Sequence, residues 1–191
     1  TDSQLMPEEI VFSNVTAIAA GAYHSLFLKT DGSLWGMGDN HYGQLGDNVD
    51  SIAMVPIEIV SSNVIAIAAG DDFSLFLKSD GSLWGMGQNG NGQLGDGIGG
   101  NTINTPKRII TNGVTAIAAG DSHSLFLKSD GGLWAMGEND FGELGDGTTI
   151  STSTPEEILT NGVTAIAAGF ECSLFLKSDG SLWAVGYNRS E

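Results

Sequence analysis

The side chains best suited to chemistry occur at one position that recurs four times. It is the third residue after the string AAG, and it is occupied in turn by His24, Phe73, His123 and Cys172. Histidine and cysteine are common zinc ligands, but phenylalanine cannot bind a metal. A series with phenylalanine in it favours packing between repeated units, so we predict no metal site here.

A serine follows this position every time. The four are Ser25, Ser74, Ser124 and Ser173. A nucleophilic serine needs a base and an orienting group of its own, whereas four equivalent serines share the same neighbours. The sequence therefore predicts no catalytic residue, and we expect that the protein is not an enzyme.

One glycine-rich segment, GNGQLG at 90–95, has the spacing of a dinucleotide-binding loop. That loop works only when a helix follows, because the helix N-terminus receives the pyrophosphate. No helical periodicity follows here, and the parallel segments HYGQLG (41–46) and DFGELG (141–146) lack the first glycine. We predict a wide turn and no cofactor.

Four Asp-Gly pairs separate apolar runs. They are Asp31-Gly32, Asp80-Gly81, Asp130-Gly131 and Asp179-Gly180. Glycine can adopt the left-handed backbone that closes a short hairpin, and an aspartate side chain can accept hydrogen bonds from the turn. Each is a lone carboxylate, so we predict structural turns and no calcium site.

These positions belong to an internal repeat of about fifty residues. The string AIAAG begins at 17, 66, 116 and 165, and the tryptophans Trp35, Trp84, Trp134 and Trp183 step by 49, 50 and 49. The first three units each have an Ala-rich run, a Leu/Phe-rich run, the Asp-Gly turn, a Trp-containing run, a Gly-rich loop and a proline-led run, and the fourth has these elements as far as its Trp-containing run. The small residues of the Ala-rich run suit a crowded position near an axis, and the large residues of the middle runs suit a blade core. Proline cannot donate a backbone hydrogen bond, so the proline-led run suits an outer edge.

The repeat predicts an all-β fold, a β-propeller of four four-stranded antiparallel blades. We expect a single domain over 1–191, with units at about 14–60, 63–110, 113–159 and 162–191. The four tryptophans are expected in the blade cores.

The segment AAGDSHSLFLKSDGGLWAMGENDFGELGDGTTISTSTP (118–155) resembles the repeat of the regulator of chromosome condensation family. All four units match that pattern. The resemblance implies a seven-bladed propeller, whereas this chain carries four units, so ring size stays open and oligomerisation could complete the ring. It also implies an alternative function, since the eukaryotic founder of the family is an exchange factor for a small nuclear GTPase that docks on chromatin.

Charge argues against several partners. The chain has 23 acidic and 7 basic residues, a net charge of −16 and a pI of about 4.1. Such a field repels nucleic acid and anionic lipid, and no apolar run approaches the ~20 residues that span a membrane. Plant ultraviolet-B photoreceptors of this propeller type border their tryptophans with arginines, but only Arg108 and Arg189 occur here, so photoreception is disfavoured.

The residues after AAG differ between units and form the predicted partner surface. They are Tyr23, Asp71, Asp72, Phe73, Asp121, Phe170 and Glu171. Variable loops on a repeated scaffold often carry binding specificity, although neutral variation of solvated loops would give the same pattern.

We predict a non-enzymatic interaction propeller, from a bacterial secreted or surface protein, that binds a protein partner and no nucleic acid or membrane. One alternative is a structural module that assembles into homo-oligomeric rings or filaments. Another is a regulator of a GTPase. The first residue is not methionine and no secretory leader is evident, so we expect a mature product or an excised piece.

The last unit ends without a proline-led run, while a spare one, MPEEIVF (6–12), precedes the first unit. We predict that 6–12 pairs with the run around Trp183, either within one chain or, as we favour, between chains. Cys172 is the single cysteine, so no intrachain disulfide can form. Asn14 and Asn188 lie in glycosylation sequons.

Overall fold

A computed structural model describes residues 6–11 and 13–187 of the chain. These residues form fifteen β-strands and no helix, so the all-β prediction is confirmed. The first eight strands are β1 (Val15–Ala20), β2 (His24–Lys29), β3 (Leu34–Gly38), β4 (Ala53–Val60), β5 (Val64–Ala69), β6 (Phe73–Lys78), β7 (Leu83–Asn89) and β8 (Asn101–Ile110). The other seven are β9 (Val114–Ala119), β10 (His123–Lys128), β11 (Leu133–Gly137), β12 (Thr152–Leu159), β13 (Val163–Ala168), β14 (Cys172–Lys177) and β15 (Leu182–Gly186).

The strands form four antiparallel sheets, one for each repeat. Three sheets have four strands each, in the orders β1-β2-β3-β4, β5-β6-β7-β8 and β9-β10-β11-β12, and the last has three, β13-β14-β15. Every pairing is between strands that follow one another in the chain. This is the organisation of propeller blades, and we number the blades 1 to 4 in chain order.

The Ala-rich strands form the inner edge of the arrangement. β5 packs against β1 and β9, and β9 packs against β13. Alanine side chains allow these strands to approach closely, which explains why the first run of each unit contains so few large residues. The inner position predicted for this run is therefore the observed one.

Each blade has two apolar faces because successive residues of a strand point to opposite sides. One, the leucine face, carries residues such as Leu26 and Leu28 in blade 1. The other, the phenylalanine face, carries Val64, Phe76 and Met86 in blade 2. The leucine face of each blade packs on the phenylalanine face of the next, and this happens three times along the chain.

The N-terminal segment forms no strand over residues 6–11. Ile10 and Val11 instead line a groove of about 380 Å³ on blade 1, together with Ile18 and Phe27. Within one chain, the described residues 6–11 are therefore not paired with the strand that contains Trp183. The pairing between chains stays a prediction, and Phe12 lies outside the described residues.

Two further observations bear on the predictions. No helix in the part of the chain that the structure describes is long and apolar enough to cross a membrane. Asn14 is exposed, with a φ of 69°, so its side chain is accessible, whereas Asn188 lies outside the described residues. Glycosylation stays a prediction at both.

Candidate functional site

The loops of each blade lie at two opposite ends. In blade 1, Gly38 at the end of β3 pairs with His24 at the start of β2, so the β1–β2 and β3–β4 loops share one end. We call this the loop end of all four blades. The Asp-Gly turns between the second and third strands lie at the other, which we call the hairpin end.

The residues after AAG meet around the inner edge of the loop end. The backbone N–H of Ala22 donates to Asp71 O at 3.2 Å, that of Asp71 to Asp121 O at 3.2 Å, and that of Asp121 to Gly169 O at 3.3 Å. These bonds join each blade to the next. They enclose a shallow depression of about 220 Å³ that all four units line.

Of the three predicted surface aromatics, Phe170 lines this depression, whereas Tyr23 lines a separate surface pocket beside Asp39 and His41. Tyr23 and Phe170 are 70% and 68% exposed. Phe73 is fully buried, since its ring packs beneath Gly70 and into the core between blades 2 and 3. The prediction of Phe73 as a surface residue is wrong, because the third residue after AAG points inward in this loop.

Two predicted carboxylates, Asp71 and Asp121, line the same depression, and Asp72 is close enough to both to feel their charges. Burial, and then the charge of Asp71, raise the pKa of Asp121. Burial, and then the charges of Asp71, Asp39 and Asp121, raise the pKa of Asp72. Asp72 is only 8% exposed and accepts a hydrogen bond from Gln44 Nε2 at 3.3 Å, so it offers a partner little surface.

The acidic surface extends beyond the predicted residues. Burial raises the pKa of Glu138, and Asp140, Glu143, Asp121 and Glu171 add to that shift through their charges. Glu138 follows the last residue of β11, as Asp39 follows β3. The sequence reasoning missed this position, although the acid after the Trp-containing run recurs in two units.

The charge of the chain is distributed unevenly between the two ends. The loop-end segments contain 12 acidic residues and no lysine or arginine, over 21–23, 39–52, 70–72, 90–100, 120–122, 138–151 and 169–171. The repeat lysines are at the hairpin end, where each ends a strand and places Nζ over a tryptophan at 3.7–4.5 Å. The loop end therefore presents a negative field.

The two AAG-loop histidines bridge blades beneath this surface. His24 Nε2 lies 2.9 Å from Ser74 Oγ, and His123 Nε2 lies 2.9 Å from Ser173 Oγ. Each of these serines donates to a loop carbonyl of the preceding blade at 2.7 Å, so its oxygen accepts from Nε2–H. Burial lowers the pKa of both histidines to about 4, so both are neutral at pH 7.

Four of the six backbone N–H groups of the glycine-rich segment at 90–95 donate hydrogen bonds to nearby residues. Asn91 N donates to Gln93 Oε1 at 3.0 Å, and Leu94 N donates to Asn89 Oδ1 at 2.9 Å. Gly92 and Gly95 donate to carbonyls within the loop. These bonds close the segment on itself, which supports the interpretation as a wide turn.

The Asp-Gly turns form a repeated polar network at the hairpin end. In blade 2, Ser82 N and Oγ both donate to Asp80 Oδ1, at 2.9 and 2.6 Å, and Trp84 Nε1 donates to Ser82 Oγ at 2.8 Å. The turn glycines have φ between 78° and 85° in all four blades. The predicted turn aspartates Asp31, Asp80, Asp130 and Asp179 therefore accept hydrogen bonds within hairpin turns, at the opposite end of the strands from the loop end.

Blade 3 departs from this network. Gly132 stands where the other blades have serine, and Trp134 Nε1 is buried without a hydrogen-bond partner. Each tryptophan stacks on a phenylalanine of its own blade, with ring centroids 6.0–6.2 Å apart. Trp84 and Trp134 are half-buried between blades, Trp35 is half-buried on the phenylalanine face of blade 1, and Trp183 is exposed.

In residues 6–11 and 13–187, no group of three His, Cys, Asp or Glu side chains is arranged to hold a metal ion. Cys172, at the fourth histidine-type position, is free and half-buried. The site is thus a surface of exposed aromatic rings and crowded carboxylates.

Comparison with known proteins gives a family and a set of similar folds. The RCC1-like domain family matches residues 1–191, which confirms the resemblance seen in the repeat. No curated protein matches the chain in sequence. Human WBSCR16 has a similar structure, with a TM-score of 0.79 and 26% identity over 91% of this chain and 47% of that one.

Prp20p from Saccharomyces cerevisiae is similar to the same degree, with a TM-score of 0.79 and 25% identity over 91% of this chain and 44% of Prp20p. The receptor kinase CR4 ectodomain from Physcomitrella patens shares the fold, at 18% identity and a TM-score of 0.58 over 91% of this chain and 40% of that one. This chain thus spans less than half the length of these proteins.

Proposed function

The chain belongs to the RCC1-like domain family, and on that premise we propose that it is a protein-binding module whose loop end receives a basic surface of a partner protein. The observation that carries the proposal is the crowding of carboxylates around one depression at the inner edge of the blades, which the exposed ring of Phe170 also lines. No step of the proposal needs a catalytic residue, a metal or a cofactor.

The carboxylates favour a cationic partner for a physical reason. Asp72 and Asp121 have raised pKa values because they are partly buried beside other acids and no lysine or arginine belongs to these loops. Lysine or arginine side chains of a partner would relieve that repulsion and form charge-assisted hydrogen bonds. The same field would also increase the rate of encounter with a basic protein.

The aromatic side chains give the surface an apolar component. Phe170 of blade 4 lines the depression, and Tyr23 of blade 1, which follows the lining residue Ala22, is exposed beside Asp39 and His41. Aromatic residues are enriched at the centres of protein interfaces, where they bury a large area at a small cost in side-chain entropy. We propose that these two rings anchor the partner and that the acids between them set its charge preference.

The scaffold beneath the surface is held together by hydrogen bonds between blades. Backbone bonds join the four loops, and the His24–Ser74 and His123–Ser173 pairs lock adjacent blades directly below them. A site that is already ordered loses less entropy on binding. The loop residues can therefore differ between units without disturbing the blades that carry them.

Similar proteins bind other proteins. The structure of Prp20p was described together with its binding to Gsp1p and histones, and yeast RCC1 (Prp20) has been crystallised with Kap60. Regulation of a small GTPase such as Gsp1p is the second candidate function, and the similarity to Prp20p is the finding that favours it. Origin from a bacterial secreted or surface protein stays a prediction.

Core histones are a suitable basic probe for the first test. The variant D71N/D121N/E171Q removes three charges at the depression, and E58Q/E156Q/E157Q removes three from exposed positions on β4 and β12. We expect the first to weaken binding at about 0.15 M salt by about tenfold and the second by less than about twofold. Equal losses would show that net charge alone attracts histones and would overturn the proposed surface.

A second pair of variants tests the aromatic anchors. Y23A/F170A removes the two rings, while M54A removes an exposed apolar side chain of β4. We expect the double variant to weaken histone binding about tenfold and M54A to leave it unchanged. Binding of Gsp1p that accelerates nucleotide release, without histone binding, would favour the second candidate over the first.

A further inference from the structure

One long polar side chain is buried in each of the three GQLG-type loops, where one blade meets the next. The residue follows the first glycine of the loop motif and is Gln44, Gln93 or Glu143, and all three are 0–1% exposed. In each case one terminal oxygen accepts a hydrogen bond from the backbone N–H two residues earlier, at 2.8–3.0 Å. The three side chains are therefore held in the same orientation, and their second terminal atoms occupy equivalent places.

In blades 1 and 2 this second atom is an amide nitrogen that donates hydrogen bonds. Gln44 Nε2 lies 3.3 Å from Asp39 Oδ2 and 3.3 Å from Asp72 Oδ1, so one NH₂ group bridges two carboxylates between blades 1 and 2. Gln93 Nε2 donates to Gln88 Oε1 at 3.3 Å. The amide therefore provides donors that two carboxylates cannot provide for each other.

The junction between blades 3 and 4 has carboxylates at all three of the corresponding positions. Glu143 replaces the glutamine, while Glu138 is equivalent to Asp39 and Glu171 is equivalent to Asp72. We call Glu138, Glu143 and Glu171 the glutamate triad. Because an ionised carboxylate has no hydrogen to donate, an acceptor of Glu143 stands where the other loops have the donating amide.

The buried member of the triad indicates that a cation is needed. Glu143 is 1% exposed, and its Oε2 accepts from Phe141 N at 2.8 Å, whereas its Oε1 accepts no hydrogen bond among the described residues. A buried ionised carboxylate is destabilising unless a positive charge or several donors compensate for the lost water. The loop-end segments contain no lysine or arginine, so a bound group has to provide that charge.

The spacing in the first junction suits a nitrogen donor better than a metal ion. Gln44 Nε2 is 3.3 Å from each acid, whereas Ca²⁺ lies about 2.3–2.6 Å from its oxygen ligands. A guanidinium group has five N–H donors in a planar fork and can bond to more than one carboxylate. It is also more weakly hydrated than an ammonium group, so it is easier to place beside the buried Glu143.

We propose that the glutamate triad binds the guanidinium group of an arginine side chain of the partner protein. The group lies between Glu138 and Glu171 and donates to Glu143 Oε1, in the place that the Gln44 amide occupies between blades 1 and 2. This inference rests on the proposed function, because it locates within the acidic loop end the subsite that recognises arginine.

The first experiment titrates the protein with Nα-acetyl-arginine N-methylamide and follows the backbone amide signals of residues 138–143 by NMR. We expect a Kd of about 1 mM, a size that suits one small side chain. The lysine analogue should bind at least about fivefold more weakly, and the citrulline analogue, which has a similar shape without the charge, should not bind. Binding of either analogue as tightly as the arginine compound would overturn the proposal.

E143Q tests the buried carboxylate without damaging the fold. It gives the third loop the glutamine of the other two, so its amide should bridge Glu138 and Glu171. We expect the arginine compound to bind at least about tenfold more weakly, while the melting temperature rises by about 2–4 °C because a buried charge is lost and a donor is gained. Unchanged binding, or weaker binding with a lower melting temperature, would contradict the proposed role of Glu143.

Q44E is the converse substitution. It places a third carboxylate between Asp39 and Asp72, so we expect a second site for the arginine compound, seen as shifts of the amide signals of residues 39–45. Q93E is the matched control, because Gln88 and Ser122 supply no further carboxylates there, and it should create no site. A new site in both variants, or in neither, would overturn the proposed geometry.

Histone binding separates this subsite from the wider surface. We expect E143Q to weaken histone binding at least about threefold, since one of several contacts is lost. Histone binding that falls in D71N/D121N/E171Q but is unchanged in E143Q would overturn the arginine subsite and leave the proposed function standing. Binding of the arginine compound at the triad, with no binding of histones, would support the subsite and overturn the proposed function.

Discussion

The two ends of the blades differ in how far their residues recur between units and in whether their polar groups are satisfied. At the hairpin end, the Asp-Gly turn, the tryptophan and the lysine above it recur in all four units, and hydrogen bonds satisfy the polar groups of three of them. At the loop end, the residues after AAG differ in every unit, and carboxylates with raised pKa values lie side by side.

This difference indicates where stability and binding reside. The hairpin end contributes to the folding free energy because its turns and polar contacts are satisfied within the blade. The loop end is held by the backbone and by buried histidines, while its surface side chains repel one another. Four substitutions test this division, from the largest expected effect to the smallest.

Gly81→Val should cause the largest loss of stability. Gly81 has φ 78°, and a Cβ at this position would lie 2.8 Å from Gly113 N. A β-branched residue in this conformation is strained, so we expect a loss of about 3 kcal/mol in the free energy of unfolding. Gly180→Val is the matched control, with φ 85° and open space around it, and should lose only about 1 kcal/mol. Denaturant melts showing equal losses would contradict the role of packing against the next blade.

His123→Phe should change how stability depends on pH. Since burial lowers the pKa of His123 to about 4 from 6.5, the unfolded chain binds more protons between these values, and stability falls as the pH falls through this window. The variant should be about 1 kcal/mol less stable at pH 7.5, through the lost bond to Ser173, because a net hydrogen bond is worth about that much. At pH 5 it should escape a protonation cost of about 2 kcal/mol.

Phe73 occupies the equivalent position in blade 2, so the phenylalanine should fit. The measurement is urea unfolding of the unaltered protein and the variant at the two pH values. Because His24 is present in both proteins, its contribution cancels from the difference in their free energies of unfolding. A difference in stability that is the same at pH 5 and 7.5 would mean that His123 does not titrate as a buried group.

Gly132→Ser should repair the one incomplete hairpin. Its Cβ would lie 3.0 Å from Asp130 Oδ1, the atom to which the other turn serines donate, and the new hydroxyl would accept from the unpartnered Trp134 Nε1. We expect a gain of about 1 kcal/mol in the free energy of unfolding. Gly132→Ala supplies the backbone effect without the hydroxyl, and a gain as large as that of serine would show that the hydrogen bond adds nothing.

Asp121→Asn should have the smallest effect, and of the opposite sign to Gly81→Val. It removes one of the mutually repelling charges at the loop end, so we expect a gain of about 0.5 kcal/mol at pH 7, discounted for solvent screening. Because the folded protein holds the Asp121 proton more tightly than the unfolded chain does, the gain should fade as the pH falls through the folded pKa towards 3.8. Thermal melts at about 1 M salt should show a smaller gain, because salt screens the repulsion from Asp71 but not the cost of burying the charge, and a loss of stability at low salt would mean that Asp121 supports the fold.

Much of the fold could be predicted from periodicity. Four Ala-rich runs, four Asp-Gly turns and four tryptophans at constant spacing indicate one antiparallel sheet per unit, since each run is too short for a helix and ends at a turn residue. The strand order in each sheet follows, because hairpin connections place successive strands side by side. The axial position of the Ala-rich run follows from residue size.

The site could be predicted only in part. Tyr23, Phe170 and Asp121 were identified because they vary on a repeated background, but Phe73 varies for a different reason, since it fills the core position that histidine fills in blades 1 and 3. Variation in sequence does not distinguish a residue that points outward from one that points inward. The acid at Glu138 was missed because its distance from Asp121 and Glu171 exists only after the blades pack.

What the sequence by itself determined was the repeat, the hairpins and the charge, which are local properties of residue type and spacing. Only the tertiary structure decided which equivalent residues differ in environment: Leu182 has the same neighbours in sequence as Leu83, yet one lies in solvent and the other in a core. The physical reason is that burial depends on whether a neighbouring blade covers the face, and a repeat that looks alike along the chain has its first and last members in different surroundings.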